Sequence, residues 1–239
     1  MPVLPSACAI VTGTSSGIGQ AIALKLLNEG WHVHGLDIAP TKITNPSFTS
    51  WELDLTQTNE LANTLDQILF KQSPQVLVHA AGVLRIGSLG SLDMMAGQLM
   101  WQLHVDVATQ LANRVLPVMQ QAGQGRMVLL GSRVSSGIAG RSQYAATKAA
   151  LLSLSRSWAA ECISHGVTVN VVSPAATDTP MLKDPARAKT TPRLPPIGRL
   201  INPDEVAALV AYLTSTEAAA ITGQDIAICG GSSLQRECN

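Results

Sequence analysis

Short apolar runs alternate with amphipathic stretches from one end of this chain to the other, and that alternation leaves few folds open. Residues 7–12, 32–37, 75–80, 126–131, 167–172 and 225–229 read as strands. Helical periodicity fills the intervals at 19–29, 59–71, 92–120, 144–165 and 203–214. Strand and helix in turn over the whole length mean βαβ units with right-handed crossovers. The expected fold is α/β, a doubly wound parallel sheet with helices on both faces. Composition agrees: hydrophobic residues make up 46% of the 239 but aromatics only 3%. The core is then mostly Ala, Leu, Val and Ile, as in strands covered on both sides. No repeat, low-complexity tract or linker splits the chain, so residues 1–239 read as one domain. The irregular segment 179–201, with Pro180, Pro185, Pro192, Pro195 and Pro196, is expected to be a substrate loop.

Charge narrows the partners. Lys plus Arg and Asp plus Glu each total 16, a formal net charge of +0. A nucleic-acid binder needs a basic excess to displace counterions, so none is expected. Residues 1–24 are uncharged but broken by Pro2, Pro5, Gly13, Gly17 and Gly19, which argues against a membrane span or signal peptide. Cys8, Cys162, Cys229 and Cys238 form no CxxC pair and read as reduced thiols of a cytoplasmic protein. His32 and His34 share a strand face, but no Cys or carboxylate completes a set nearby, so no metal site is expected.

The first strand runs into Gly13-Thr14-Ser15-Ser16-Gly17-Ile18-Gly19, and a helix follows. Glycines there let a phosphate approach the backbone, and the helix N-terminus offers it N–H groups and a partial positive charge. The spacing is GxxxGxG rather than GxGxxG, yet its place at the first βα turn points to a dinucleotide. The same residues satisfy GxSxG, which would make Ser15 a hydrolase nucleophile. Such a serine normally follows several strands, and Ser15 follows only the first. About twenty residues beyond Gly17, the second strand ends at Asp37. A carboxylate there bonds both ribose hydroxyls of NAD and repels the 2′-phosphate of NADP. Neither Ser16 nor Ile38 brings a cation for that phosphate. NAD is the expected cofactor.

Tyr144 and Lys148 lie four residues apart and share one helix face. A phenol with an ordinary pKa of about 10 is a poor base at neutral pH, and a neighbouring ammonium lowers that value. Ser132 closes the preceding strand, placed to donate to a substrate oxygen. Ser135 and Ser136 read as turn residues.

Taken in order, Thr12-Gly13-x3-Gly17-Ile18-Gly19, Asp37, Asp54, Ala80-Ala81-Gly82, Ser132, Tyr144-x3-Lys148 and Pro174-x4-Thr179 resemble the motifs of short-chain dehydrogenases/reductases. The likeness runs on to Ile221-Thr222-Gly223-Gln224 and Gly230-Gly231. It implies a seven-stranded Rossmann sheet, an NAD(P)-linked oxidoreductase and a homotetramer joined through the two long helices. It implies catalytic roles for Ser132, Tyr144 and Lys148. It adds Asp54, Leu55, Ala80, Ala81, Gly82, Pro174, Thr177 and Thr179 to the cofactor site, with Asp54 toward the adenine and Thr179 toward the nicotinamide carboxamide. Tyr144 and Lys148 touch the cofactor as well.

This sequence departs from that pattern twice. The fourth strand ends in His79-Ala80-Ala81-Gly82, where the family usually has Asn first; His79 reads as structural. The family also has an Asn in the next long helix, supporting a water that relays protons to the lysine. Counting back from Leu116-Pro117 puts His104 there, and a shift of two puts Asp106 there.

Residues 78–87 and 170–179 further resemble family members that oxidise a carboxylate-bearing cyclic diol. Arg85 and Arg141 are the expected carboxylate ligands, with Arg187 and Arg193 on the proline-rich segment as weaker candidates. Two other readings stay open. One is another NAD-dependent alcohol dehydrogenase or carbonyl/3-oxoacyl reductase. The other is an NAD-sensing protein without turnover.

Overall fold

The computed structural model describes residues 7–183 and 194–234. Its strands are β1 (Cys8–Thr12), β2 (His32–Asp37), β3 (Phe48–Glu52), β4 (Val76–His79), β5 (Gly125–Leu130), β6 (Val167–Pro174) and β7 (Asp225–Ile228). They form one parallel sheet in the order β3-β2-β1-β4-β5-β6-β7. The main helices are α1 (Gly17–Asn28), α2 (Thr58–Lys71), α3 (Met94–Trp101), α4 (Val107–Ala122), α5 (Ser142–Cys162) and α6 (Pro203–Thr214). None of the described helices is long and apolar enough to cross a membrane.

Side chains of the central strands face two cores, one on each side of the sheet, and both are apolar. Ile10, Leu36, Leu77, Leu129 and Val171 point to one side, where Leu61, Leu65, Leu111, Val115 and Leu151 from α2, α4 and α5 meet them. Val11, Val33, Val78, Val128 and Val172 point to the other, against Ile22, Leu26, Val206 and Val210 from α1 and α6. Full burial of one such side chain is worth about 1.5–3 kcal/mol, so continuous aliphatic runs specify covered strands.

The structure differs from the sequence expectation in two places. β3 (FTSWE) contains no apolar run, because it is an edge strand, paired with β2 alone among the described strands and half exposed. The stretch 92–120 is not one helix: a π turn, Gln102–Asp106, separates α3 from α4. Local periodicity does not reveal it, because its partners come from β4 and α5.

Candidate active site

The chain enters the sheet's crevice at the point where β1 lies between β2 and β4 and successive connections leave in opposite directions. β1 ends in the glycine turn, β2 in Asp37, β4 in His79-Ala80-Ala81-Gly82, β5 in Gly131-Ser132 and β6 in Pro174. The glycine turn, Asp37, Ala80-Ala81-Gly82, Ser132 and Pro174 therefore meet at one edge.

The glycine turn is folded tightly on itself. Gly13 has φ +77° and Gly17 φ +57°, the left-handed region. A Cβ on Gly13 would lie 2.9 Å from the Ala81 backbone, and one on Gly19 only 2.1 Å from the Gly13 carbonyl oxygen. Thr12 holds this junction: its Oγ accepts the N–H groups of Ala80 and Ala81, both at 3.0 Å. Its own proton then goes to Nδ1 of His79, 2.9 Å away. Asp37 closes the other side, Oδ2 accepting from the Ser15 N–H at 2.8 Å and Oδ1 from the Ala39 N–H at 3.0 Å. Ser16 is exposed at the start of α1 and makes no capping bond. By contrast, Asn202 and Glu205 close the start of α6 with a capping box. The first N–H groups of α1 are thus left for an anion.

At the far end of the crevice stands Lys148, 5% exposed. Its Nζ donates to the Leu130 carbonyl at 2.7 Å and lies 5.8 Å from the centre of the Tyr144 ring. Burial pushes its pKa down to about 7. Val134 N–H donates to Ser132 Oγ at 3.2 Å, which leaves the serine proton to be donated into the cleft. Ser135 and Ser136 complete the short 3₁₀ turn Arg133–Ser136 behind it. Tyr144 is packed on Leu84, Met100, Val134 and Ala145.

His79 is fully buried, and its neighbours fix its tautomer. Nδ1 accepts from Thr12, so Nε2 carries the proton and donates to the Leu103 carbonyl at 3.1 Å. Burial, with the Lys148 charge close by, brings its pKa down to about 3. The tie to Leu103 anchors the π turn, which swings His104 inward with no solvent exposure while Asp106 faces solvent. Of the two candidates for that helix position, His104 is the one at the cleft.

Around these groups is a cleft of about 270 Å³. Ala80, Gly82, Pro174, Thr177 and Thr179 line it, and Thr179 also packs over Gly17: a Cβ there would lie 3.2 Å from its Cγ2. Its charged lining residues are Arg133, Arg141 and Lys148, and no carboxylate lines it among the described residues. Neither arginine side chain has a hydrogen bond or ion pair among the described residues. Arg133 escaped the sequence reading; its one signal is that it directly follows Ser132 at a strand end.

Other expected residues do not line this cleft. Arg85 is outside the lining, because its Nη1 donates to the Leu84 carbonyl at 3.1 Å and its backbone is held by Met100. Asp54 Oδ1 accepts from the N–H and hydroxyl of Thr56, at 2.9 and 2.8 Å, at the entry to α2. Burial raises the pKa of this carboxyl, but the Thr56 and Gln57 bonds outweigh it and leave the group below its usual value. Leu55 is 4% exposed and its side chain belongs to the core beside Leu61. Ser15 has no imidazole among the hydrogen bonds of its turn; its N–H goes to Asp37. His34 is occupied by Gln72 and Trp51, and His32 by Thr49. Arg187 and Arg193 lie outside the described residues.

Known proteins place this arrangement. The family described as enoyl-(acyl carrier protein) reductase matches residues 13–233. The 3-oxoacyl-(acyl-carrier-protein) reductase of Vibrio cholerae is 34% identical over 234 residues, covering 93% of this chain and 96% of that protein. The 2,3-dihydro-2,3-dihydroxybenzoate dehydrogenase of Escherichia coli is 33% identical over 238 residues, covering 94% and 96%. A solved structure of actinorhodin polyketide ketoreductase with NADPH superposes with a TM-score of 0.86 at 25% identity, over 96% of this chain and 98% of that one. The chain belongs to the short-chain dehydrogenase/reductase family and is an oxidoreductase on a Rossmann sheet.

Proposed function

We propose that this protein interconverts a secondary alcohol and a ketone with NAD as hydride carrier, on a substrate bearing a carboxylate. The observation that carries the reading is the joint placement of Ser132, Tyr144 and buried Lys148 beside two arginines in a cleft with no acidic lining among the described residues. A dinucleotide fits the residues present: the glycine turn has no room for a Cβ at Gly13 or Gly19, α1 begins uncapped, and Asp37 stands at the end of β2. The bound nicotinamide supplies the hydride acceptor or donor. Ser132 holds the substrate oxygen with its hydroxyl proton. Tyr144 takes the alcohol proton as phenolate, or returns it as phenol in reduction. Lys148 keeps the phenolate form accessible by its charge.

NAD rather than NADP is inferred from the Asp37 carboxylate, because the same fold also carries NADPH in the ketoreductase. Fluorescence titration is expected to show NADH bound at least about tenfold more tightly than NADPH, with Asp37→Ala reducing the ratio to about threefold or less. Equal affinities in the wild type would overturn the assignment.

Arg133 and Arg141 form the inferred anion site, in place of Arg85 and Arg141. Substrates of the 2,3-dihydro-2,3-dihydroxybenzoate class fit it, since their carboxylate could accept from either guanidinium. A charge-assisted hydrogen bond is worth about 1.5–3 kcal/mol. Arg133→Ala and Arg141→Ala are therefore each expected to raise KM for cyclic diol acids by about tenfold or more, with little change for uncharged secondary alcohols. Unchanged KM on the acids would remove the anion site and favour another alcohol dehydrogenase or a 3-oxoacyl reductase. Turnover of any substrate in that panel would exclude NAD sensing without catalysis. Subunit association through α4 and α5 is part of the same proposal, and size-exclusion chromatography with light scattering tests it.

A further inference from the structure

His104 sits where the cleft wall meets the catalytic helix, and both of its ring nitrogens are occupied. The Val83 N–H donates to Nε2 at 3.0 Å. That nitrogen therefore carries the lone pair, and the ring proton is on Nδ1. Nδ1 lies 2.8 Å from Thr147 Oγ, and the Thr147 hydroxyl donates in turn to the Tyr144 carbonyl at 2.8 Å. The donors run in one direction, from His104 through Thr147 to the backbone of Tyr144. The imidazole meets the Tyr144 ring edge-on, centroids 5.6 Å apart. A Cβ on Gly82 would lie 3.0 Å from Nε2. Protonating the ring would set a second donor against the Val83 N–H, and the titratable neighbours facing it, Lys148, His79 and Tyr144, offer no negative charge while Tyr144 is a phenol. Burial first, then the Lys148 charge, hold its pKa well below the usual value.

We propose that His104 is a positioning residue rather than a proton relay: its neutral imidazole joins the Gly82-Val83 wall of the cleft to the first turn of α5 and so fixes where Tyr144 stands. The inference rests on the acid/base role of Tyr144 proposed above. It places no proton transfer on the ring, and it accounts for the π turn, whose Leu103 carbonyl is held by His79 while the next residue reaches inward.

The test uses the full chain saturated with NADH and labelled with ¹⁵N-histidine. The expected spectrum keeps His104 neutral, with the proton on Nδ1, across about pH 5 to 9. Titration of His104 within that interval would overturn the proposal. Kinetics give a second reading. His104→Phe fills the space without either bond, and kcat is expected to fall about tenfold or more. His104→Gln brings an amide oxygen to the Nε2 position and is expected to recover at least about threefold of that loss, with the pH midpoint of kcat where the wild type has it. A Gln variant as slow as the Phe variant, or a displaced midpoint, would also overturn it. Should His104→Phe fail to fold, the wild-type spectrum decides. Activity of Tyr144→Phe would defeat the proposed reaction instead, and the tautomer is read without turnover, so the two failures are separable.

Discussion

Tyr144→Phe is expected to lower kcat by about 10³-fold while leaving NADH affinity within about threefold of the wild type. The substitution removes one oxygen from a ring already packed on Leu84, Met100, Val134 and Ala145. Ring packing survives, so the fold and the cleft do too. What disappears is the group proposed to take the alcohol proton. Ser132 cannot replace it, because an unassisted hydroxyl is a far weaker acid and base at neutral pH. Lys148 cannot either, since its Nζ is drawn to the Leu130 carbonyl. Stopped-flow measurement of nicotinamide reduction, beside a fluorescence titration of NADH, separates chemistry from binding. Turnover within tenfold of the wild type would refute Tyr144 as the acid/base group.

Lys148→Met is expected to abolish turnover and, in the cofactor-free protein, to raise stability. A buried ammonium costs free energy that an apolar chain of similar length does not. In the folded protein Lys148 loses its proton near pH 7, whereas in the unfolded chain it keeps it to about pH 10.5. Between those values the unfolded state binds more protons, so wild-type stability rises with pH through this window. Below it both states are protonated and the full penalty of burying the charge remains. The variant has no such slope, and at pH 7 or below it is expected to be more stable by on the order of 2–4 kcal/mol. Urea denaturation across pH without cofactor measures this. A variant less stable than the wild type at pH 6 would show that Lys148 contributes more by its bond to Leu130 than it costs by burial. Bound NADH adds hydrogen-bond acceptors near the ammonium and is expected to narrow the difference between the two proteins.

Both effects involve groups already visible in the sequence, and the reason is distance along the chain. Tyr144 and Lys148 are one helical turn apart, so a single local structure fixes their relation. The glycine turn is equally local: Gly13, Gly17 and Gly19 follow a strand and open a helix, and their spacing alone demands close backbone approach. Asp37 and Ser132 are legible as strand ends. What could not be read there involves elements that meet only after folding. Arg133 and Arg85 both follow strands of the sheet, and only the path of the chain brings one to the cleft and leaves the other outside its lining. Leu55 follows a carboxylate at a strand end, yet its side chain fills the core. β3 escaped notice because an edge strand needs no apolar run.

The histidines mark the boundary most sharply. From the sequence, His104 and Asp106 compete for one helix position, because a regular helix places residues two apart on different faces and an uncertain register cannot choose between them. The π turn makes the choice, and it depends on a bond from His79 in β4 and another from His104 to Thr147 in α5. No local periodicity encodes partners 24 and 43 residues away. The sequence by itself determined the strand–helix alternation, the tight glycine turn and the placing of the serine, tyrosine and lysine, since each depends on neighbours a few residues apart. Tertiary structure alone decided which arginines face the cleft and which way His79 and His104 carry their protons, because burial and hydrogen-bond partners are properties of the packed chain.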